Sequence, residues 1–226
     1  EIMPSLVGSE MCIRDSPYAE AGREIVCFSI SAGMSTSGNV MRLAAEELGA
    51  SDRIKVIDSA NLSTGIGLLV IEAAIMAKNN RTASQIVSEI EKLKPNVRAS
   101  FVVDTLTYLY RGGRCNAVAA MAGGVLKLHP RIVVENGAMN ASKKYRGKIN
   151  SVIMDYVKDM EKDLKNARPE RVFITHSGCK QETVEKVRAY LEELGVFDEI
   201  LETRAGGVIS SHCGPGTLGV LYIAKS

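Results

Sequence analysis

Residues Phe101–Ile132 read FVVDTLTYLYRGGRCNAVAAMAGGVLKLHPRI, and how this stretch folds decides how the chain is divided. Phe101–Asp104 is a short apolar run suited to a buried strand, and Leu106 and Leu109 lie one helical turn apart after it. Gly112 and Gly113 let the chain turn sharply and present Arg114. A second helix of small residues follows, and Pro130 opens another strand. Strands and helices alternate upstream of this stretch, whereas the pattern changes after Pro130. The stretch therefore reads as the joint between two lobes, with Arg114 aimed at whatever lies between them.

Working upstream, Glu24–Ile30 predicts a strand that runs into the loop Ser31–Asn39, after which Val40, Met41, Ala44, Ala45 and Leu48 share one face of a helix. The loop sits between a strand end and a helix start, where free N–H groups and the helix dipole favour an anion. Ile54–Asp58, the loop Ser59–Gly65 and the apolar helix Ile66–Ala77 repeat that order. A further helix begins at Thr82 as N-cap, with Ile86, Ile90 and Leu93 inward. Counting Phe101–Asp104, three strands separated by helices predict a parallel, helix-covered sheet. Ligands of such sheets bind beyond the carboxyl ends of the strands. Ser31, Ser35, Ser37, Asp58, Ser59 and Thr105 would stand on that rim.

Downstream, Asn136-Gly137 between Arg131–Glu135 and Ala138–Lys144 is a strong hairpin signal. A helix is expected from about Gly147 to Lys165, a strand at Arg171–Thr175 and a helix at Glu182–Leu194 closed by Gly195. Extended segments follow at Glu199–Thr203 and, after the glycine-rich Gly206–Gly219, at Val220–Ala224. The fold class is thus α/β with two lobes. Residues 18–125 form a parallel-sheet N-terminal lobe and 126–226 a smaller α+β C-terminal lobe; residues 1–17, without helical or strand period, read as a non-native leader.

Composition narrows the function. The chain has 226 residues, 28 basic against 26 acidic, and 5% aromatics with no Trp, so neither a basic footprint nor a stacking surface for nucleic acid is present. The most apolar run, Leu68–Ala77, is broken by Glu72 and is too short for stable membrane insertion. The five cysteines, at 12, 27, 115, 179 and 213, are scattered without CxxC pairs. They point to reduced thiols in a cytoplasmic protein rather than to a zinc site.

Two residues stand out, each with a competing reading. His212 lies in GGVISSHCGPGT, where four glycines and a proline predict a backbone held close to another surface; the alternative is a satisfied loop histidine. Arg114 can fork onto a carboxylate or phosphate, or simply pair with a surface acid. The Ser31–Asn39 loop lacks the GxxxxGK[ST] pattern of a nucleotide loop and can equally be plain helix capping. Cys213 beside His212 suggests a thiol nucleophile, but no acidic orienting partner can be named for the pair. The basic run Lys143–Lys148 suits a solvated face or the docking of an acidic partner.

With these motifs assembled, the chain from about Tyr18 onward resembles the DegV family of bacterial fatty-acid-binding proteins. The resemblance rests on ISAGMSTSG (30–38), VIDSANLSTGIGLLV (56–70), FVVDTLTYLYRGGRC (101–115), LKLHPRIVVENGAM (126–139), KKYRGK (143–148) and HCGPGTLGVLY (212–222), six motifs in family order. It implies a protein that buries one long-chain fatty acid between two lobes and is not itself a catalyst. Such a protein presents the carboxylate to a separate fatty acid kinase, which makes the acyl phosphate for phospholipid synthesis. By resemblance His212, Arg114, Ser35 and Ser37 meet the carboxylate, with Ser31, Ser63, Thr105 and Gly214 in support, and Arg146 docks the kinase. The bound fatty acid is the ligand; no catalytic residue, cofactor or metal is implied.

The chain departs from the family in three places. Its first loop carries Ala32, Met34, Thr36 and Ser37 where Ser-Ser-x-Leu-Ser-Gly-Thr is usual, and His129 stands where lysine is common. An opening strand-rich segment with an Asp-Ser-Thr loop has no counterpart, so an N-terminally truncated member is expected. The rival reading is a small-ketone-binding subunit resembling that of dihydroxyacetone kinases, and a third is a purely regulatory domain. An apolar tunnel, for which Ile66–Met76 and the Met- and Ala-rich Ala117–Leu128 are suited, favours the lipid over the ketone.

Overall fold

The computed structural model describes residue 18, residues 21–113 and residues 128–225. The chain divides into two compact units. One comprises the residues up to Leu62 together with Ile66–Pro95, and the other Ser63–Gly65 together with the residues from Asn96 onward.

In the first unit, β1 (Ile25–Ser29) and β2 (Ile54–Asp58) pair in parallel, Ile25 opposite Ile54 and Ser29 opposite Asp58. Parallel neighbours need a crossover, which α1 (Ser37–Glu47) supplies. Its buried Ala45 packs with Ala50 and Ile54, and Ile25, Cys27, Leu48 and Val56 surround them. The next helix, α2 (Thr64–Lys78), is apolar around most of its circumference, and Leu68 and Leu69 are wholly buried. α3 (Ala83–Leu93) opens with a capping box: Thr82 Oγ1 accepts the Gln85 N–H, and Gln85 Oε1 accepts the Thr82 N–H. Ile86 and Ile90 are buried beneath it, as the sequence period predicts.

The second unit is a six-stranded sheet in the order β5-β4-β3-β8-β6-β7. Its strands are β3 (Val97–Val102), β4 (Leu128–Glu135), β5 (Ala138–Arg146), β6 (Ala167–Ser177), β7 (Glu199–Arg204) and β8 (Thr217–Ala224). Only β6 and β7 are parallel; every other neighbouring pair is antiparallel. Asn136 (φ 52°) and Gly137 (φ 75°) make the two-residue hairpin turn between β4 and β5 that their sequence predicts.

Three expectations are corrected. The strand beginning at Phe101 is not a third member of the parallel sheet: β3 lies antiparallel between β4 and β8, Ala99 facing Val134 on one side and Leu221 on the other. Both of its edges are paired with strands that come after it, so the first unit ends at Pro95 and the boundary drawn at 125/126 falls inside the second. The helix expected over 147–165 is two, α5 (Ile149–Asp159) and α6 (Glu161–Lys165). At Met160 the N–H bonds Val157 O, three residues back, which tightens the turn and separates them. The glycine-rich Gly206–Gly219 segment contains a short helix. The remaining helices of this unit among the described residues are α4 (Thr107–Gly112), α7 (Gln181–Glu193) and this α8 (Gly207–Cys213).

The core of the second unit lies between the sheet and α5 to α7. Ile153, Tyr156, Val157, Val187 and Leu191 meet Val172, Ile174, Leu218 and Val220 there, all wholly buried. Tyr156 carries the one polar tip in this set and spends it fully. Its hydroxyl donates to Ser100 O at 2.7 Å and accepts the Val220 N–H at 3.0 Å, joining α5 to β3 and β8.

Candidate functional site

In the first unit, two loops at the carboxyl ends of β1 and β2 are laced together. The Ser31 N–H donates to Asn61 O at 2.9 Å, and the Ala32 N–H lies 3.3 Å from both Asp58 carboxylate oxygens. Asp58 also accepts the Ala60 N–H at 2.8 Å. Ser31 is buried, and its hydroxyl accepts the Gly33 N–H. Ser35 and Ser37, at the mouth of α1, are half-buried with hydroxyl oxygens 2.8 Å apart, and Ser35 Oγ also accepts the Ser37 N–H. Whichever hydroxyl donates within the pair, the other keeps its proton for an outside acceptor.

The sequence reading passed over Asn61, which is buried; its Oδ1 accepts the Leu62 N–H. On either side of it Ala60 (φ 49°) and Ser63 (φ 51°) adopt the left-handed region without being glycine. Backbone strain of this kind gathers at ligand-binding turns, but nothing in the local composition announces it. Ser63 and Thr64 belong to the second unit. There Thr64 Oγ1 lies 2.5 Å from Thr175 Oγ1, which in turn lies 2.8 Å from Thr203 Oγ1.

The other cluster, in the second unit, is built on α4 and α8. Gly206 in extended conformation starts α8, the Ser210 hydroxyl donates back to Ala205 O at 3.0 Å, and Gly214 (φ 79°) ends the helix. His212 occupies the last turn, half-buried, with its ring against Gly112 so closely that a Cβ there would overlap the ring. One residue past α8, a Cβ on Gly214 would likewise overlap the ring of Tyr108. Of the glycines around His212, Gly214 makes the close approach that the sequence predicts, to Tyr108, while Gly206 and Gly207 face open space; the His212 ring itself rests on the glycine turn preceding Arg114. Arg114 itself lies outside the described residues, as do Cys115 and the tunnel stretch Ala117–Lys127. Tyr108 was missed by the sequence reading, because nothing local separates a ring packed on glycine from an ordinary helix aromatic.

Thr105 stands just ahead of α4, its hydroxyl 2.9 Å from Thr107 Oγ1 and accepting the Thr107 N–H. Since it follows a strand of the second sheet, it does not stand on the rim of the parallel sheet with Ser31, Ser35 and Ser37. Cys213 is buried beneath His212, and burial pushes its thiol up to about 12. A thiol so protonated at neutral pH does not serve as a nucleophile. His129 is buried with Nδ1 3.3 Å from Val103 O and Nε2 3.0 Å from Gly147 O. It thereby ties the end of β3 to the residue after Arg146, which is exposed at the end of β5. Among the described residues, no three His, Cys, Asp or Glu side chains are grouped to hold a metal ion, and no helix is long and apolar enough to cross a membrane.

A family model described as "Uncharacterised protein, DegV family" matches residues 10–225. The chain belongs to the DegV family. The match begins inside the stretch read as a leader. A DegV domain-containing protein of Deinococcus radiodurans is 31% identical over 206 residues, covering 90% of this chain and 72% of the relative. Among solved structures, a DegV family protein from Thermus thermophilus, described as binding fatty acid, superposes with a TM-score of 0.83 at 26% identity. That match covers 96% of this chain and 77% of the other. A stearic acid-binding protein from Eubacterium ventriosum gives a TM-score of 0.80 at 26% identity, covering 96% and 76%. DegV neighbours of this fold therefore bind fatty acids, and the mixed α/β architecture with one parallel and one six-stranded sheet is theirs.

Proposed function

We propose that this protein binds one long-chain fatty acid and holds its carboxylate at His212. The observation that carries the reading is the seating of the His212 ring on Gly112, which brings a half-buried nitrogen donor to the glycine turn of a chain whose family relatives bind fatty acids. A carboxylate taken from water needs charged or multiple donors. His212 and, next in sequence to that turn, Arg114 are assigned this task. Ser35 and Ser37 are proposed head-group residues as well, tested separately from His212, with Ser31, Ser63, Thr105 and Gly214 supporting the loops. Each buried methylene of the tail contributes about 0.8 kcal/mol, so a long chain binds tightly even with a modest head-group contribution.

The finer reading is that the protein is a non-catalytic carrier in the cytoplasm, presenting the carboxylate to a fatty acid kinase for acyl-phosphate formation, with exposed Arg146 on the docking face. Native mass spectrometry of the purified protein, followed by identification of released molecules, tests the binding. One fatty acid per chain, lost in His212→Ala with the circular dichroism unchanged, is expected. A folded protein that neither retains nor takes up fatty acid overturns the reading. Arg146→Glu should leave lipid binding intact and slow acyl phosphate formation by an added kinase; an unaltered rate removes Arg146 from the interface.

A further inference from the structure

The side of the six-stranded sheet that packs on α5 and α6 holds a cavity of about 270 Å³ that none of the residues discussed above as ligand contacts lines. Its floor includes Arg131 and Val133 of β4 and Tyr222 of β8, Met160 closes it from the helix side, and Glu135 and Asp163 stand exposed at its mouth with Arg98. Arg131 is the unusual member. Its guanidinium carbon lies 5.6 Å from the centre of the Tyr156 ring, and that ring is itself fixed by the hydroxyl bonds to Ser100 and Val220. Its Nε–H is buried without a hydrogen-bond partner, and its charge helps hold the nearby Asp159 carboxyl below its usual range. A guanidinium held in place by stacking and lining a cavity suits a planar oxyanion on its terminal nitrogens.

The surroundings restrict that anion. Glu135 and Asp163 at the mouth oppose a second negative charge, which disfavours phosphate dianions. The volume falls just under the range of about 300–1,000 Å³ usual for drug-sized ligands, which suits a small ligand. Val133, Met160 and the Tyr222 ring nevertheless offer apolar surface beside the charge. We propose that this cavity is a second ligand site, taking a small monocarboxylate of a few carbon atoms whose carboxylate forks onto Arg131 and whose alkyl part packs on Val133 and Met160.

Isothermal titration calorimetry of the full chain with sodium butyrate, at constant ionic strength and with and without palmitate, tests this. One butyrate site is expected, tighter than for inorganic phosphate, indifferent to palmitate and weakened at least tenfold by Arg131→Met. Where Arg131→Met does not fold by circular dichroism, Arg131→Lys, which keeps the charge and loses the fork, should show the same loss. Absence of butyrate binding, preference for phosphate, competition by palmitate, or affinity unchanged in the Arg131 variant each overturns the proposal.

Discussion

The His212 ring occupies the space that a side chain on Gly112 would need, so the two positions are coupled through direct contact. Gly112→Ala should cost about 1–3 kcal/mol of stability, the usual penalty for forcing extra volume into a packed site. In a His212→Ala background the same substitution has room, and the double-mutant cycle by urea denaturation should show a coupling above about 0.5 kcal/mol. Additive effects would mean that the ring swings away freely.

Gly113 and Gly214 form a natural pair of controls. Both have positive φ, but Gly113 (ψ 14°) is left-handed helical and faces open space, whereas Gly214 (ψ 171°) is in an extended region open essentially to glycine and faces the Tyr108 ring. Gly113→Ala should cost only the backbone penalty of about 1–2 kcal/mol. Gly214→Ala should cost clearly more, and adding Tyr108→Ala should remove the part due to the ring while leaving the larger backbone penalty. Thermal melts of the three variants decide it.

Tyr156→Phe removes the hydroxyl that accepts the Val220 N–H and donates to Ser100 O, leaving buried backbone groups unpaired. The expected loss is about 1–3 kcal/mol in chemical denaturation, at unchanged far-ultraviolet circular dichroism. A change below a few tenths would mean that water replaces the hydroxyl.

The Cys213 thiol, raised by burial from its ordinary 9.0 to about 12, makes stability pH-dependent in a defined direction. The folded state holds this proton more tightly than the unfolded chain. The contribution is therefore complete below pH 9 and is lost as pH rises towards 12, at up to about 1.4 kcal/mol per pH unit. Denaturation curves of the wild type and Cys213→Ala should converge in slope over pH 7–9 and diverge above it. Parallel curves throughout would exclude the effect.

Local chemistry made much of this fold legible. Asn136-Gly137 predicts its turn because few other pairs tolerate two positive φ values, and Thr82 with Gln85 announces a helix start. The partner of β3 was not legible: parallel or antiparallel pairing is settled by β8, more than a hundred residues later, while the strand-helix order around Phe101 suits either. Within the site, the glycines beside His212 foretold a close approach but not its object. Tyr108 and Asn61 escaped notice because a ring against glycine and a strained loop are properties of assembled structure. Ser35 and Ser37 were named together, and the hydroxyl pair they form is what a two-residue spacing ahead of a helix permits.

The position of β8 also bears on how the chain is made. It is the last strand in sequence yet lies inside the sheet, between β3 and β6. Until Thr217–Ala224 has left the ribosome, β5-β4-β3 and β6-β7 are separate ribbons with open edges, and the sheet can close only after translation has passed His212. A nascent chain stalled before residue 217 should accordingly be protease-sensitive and bind chaperones.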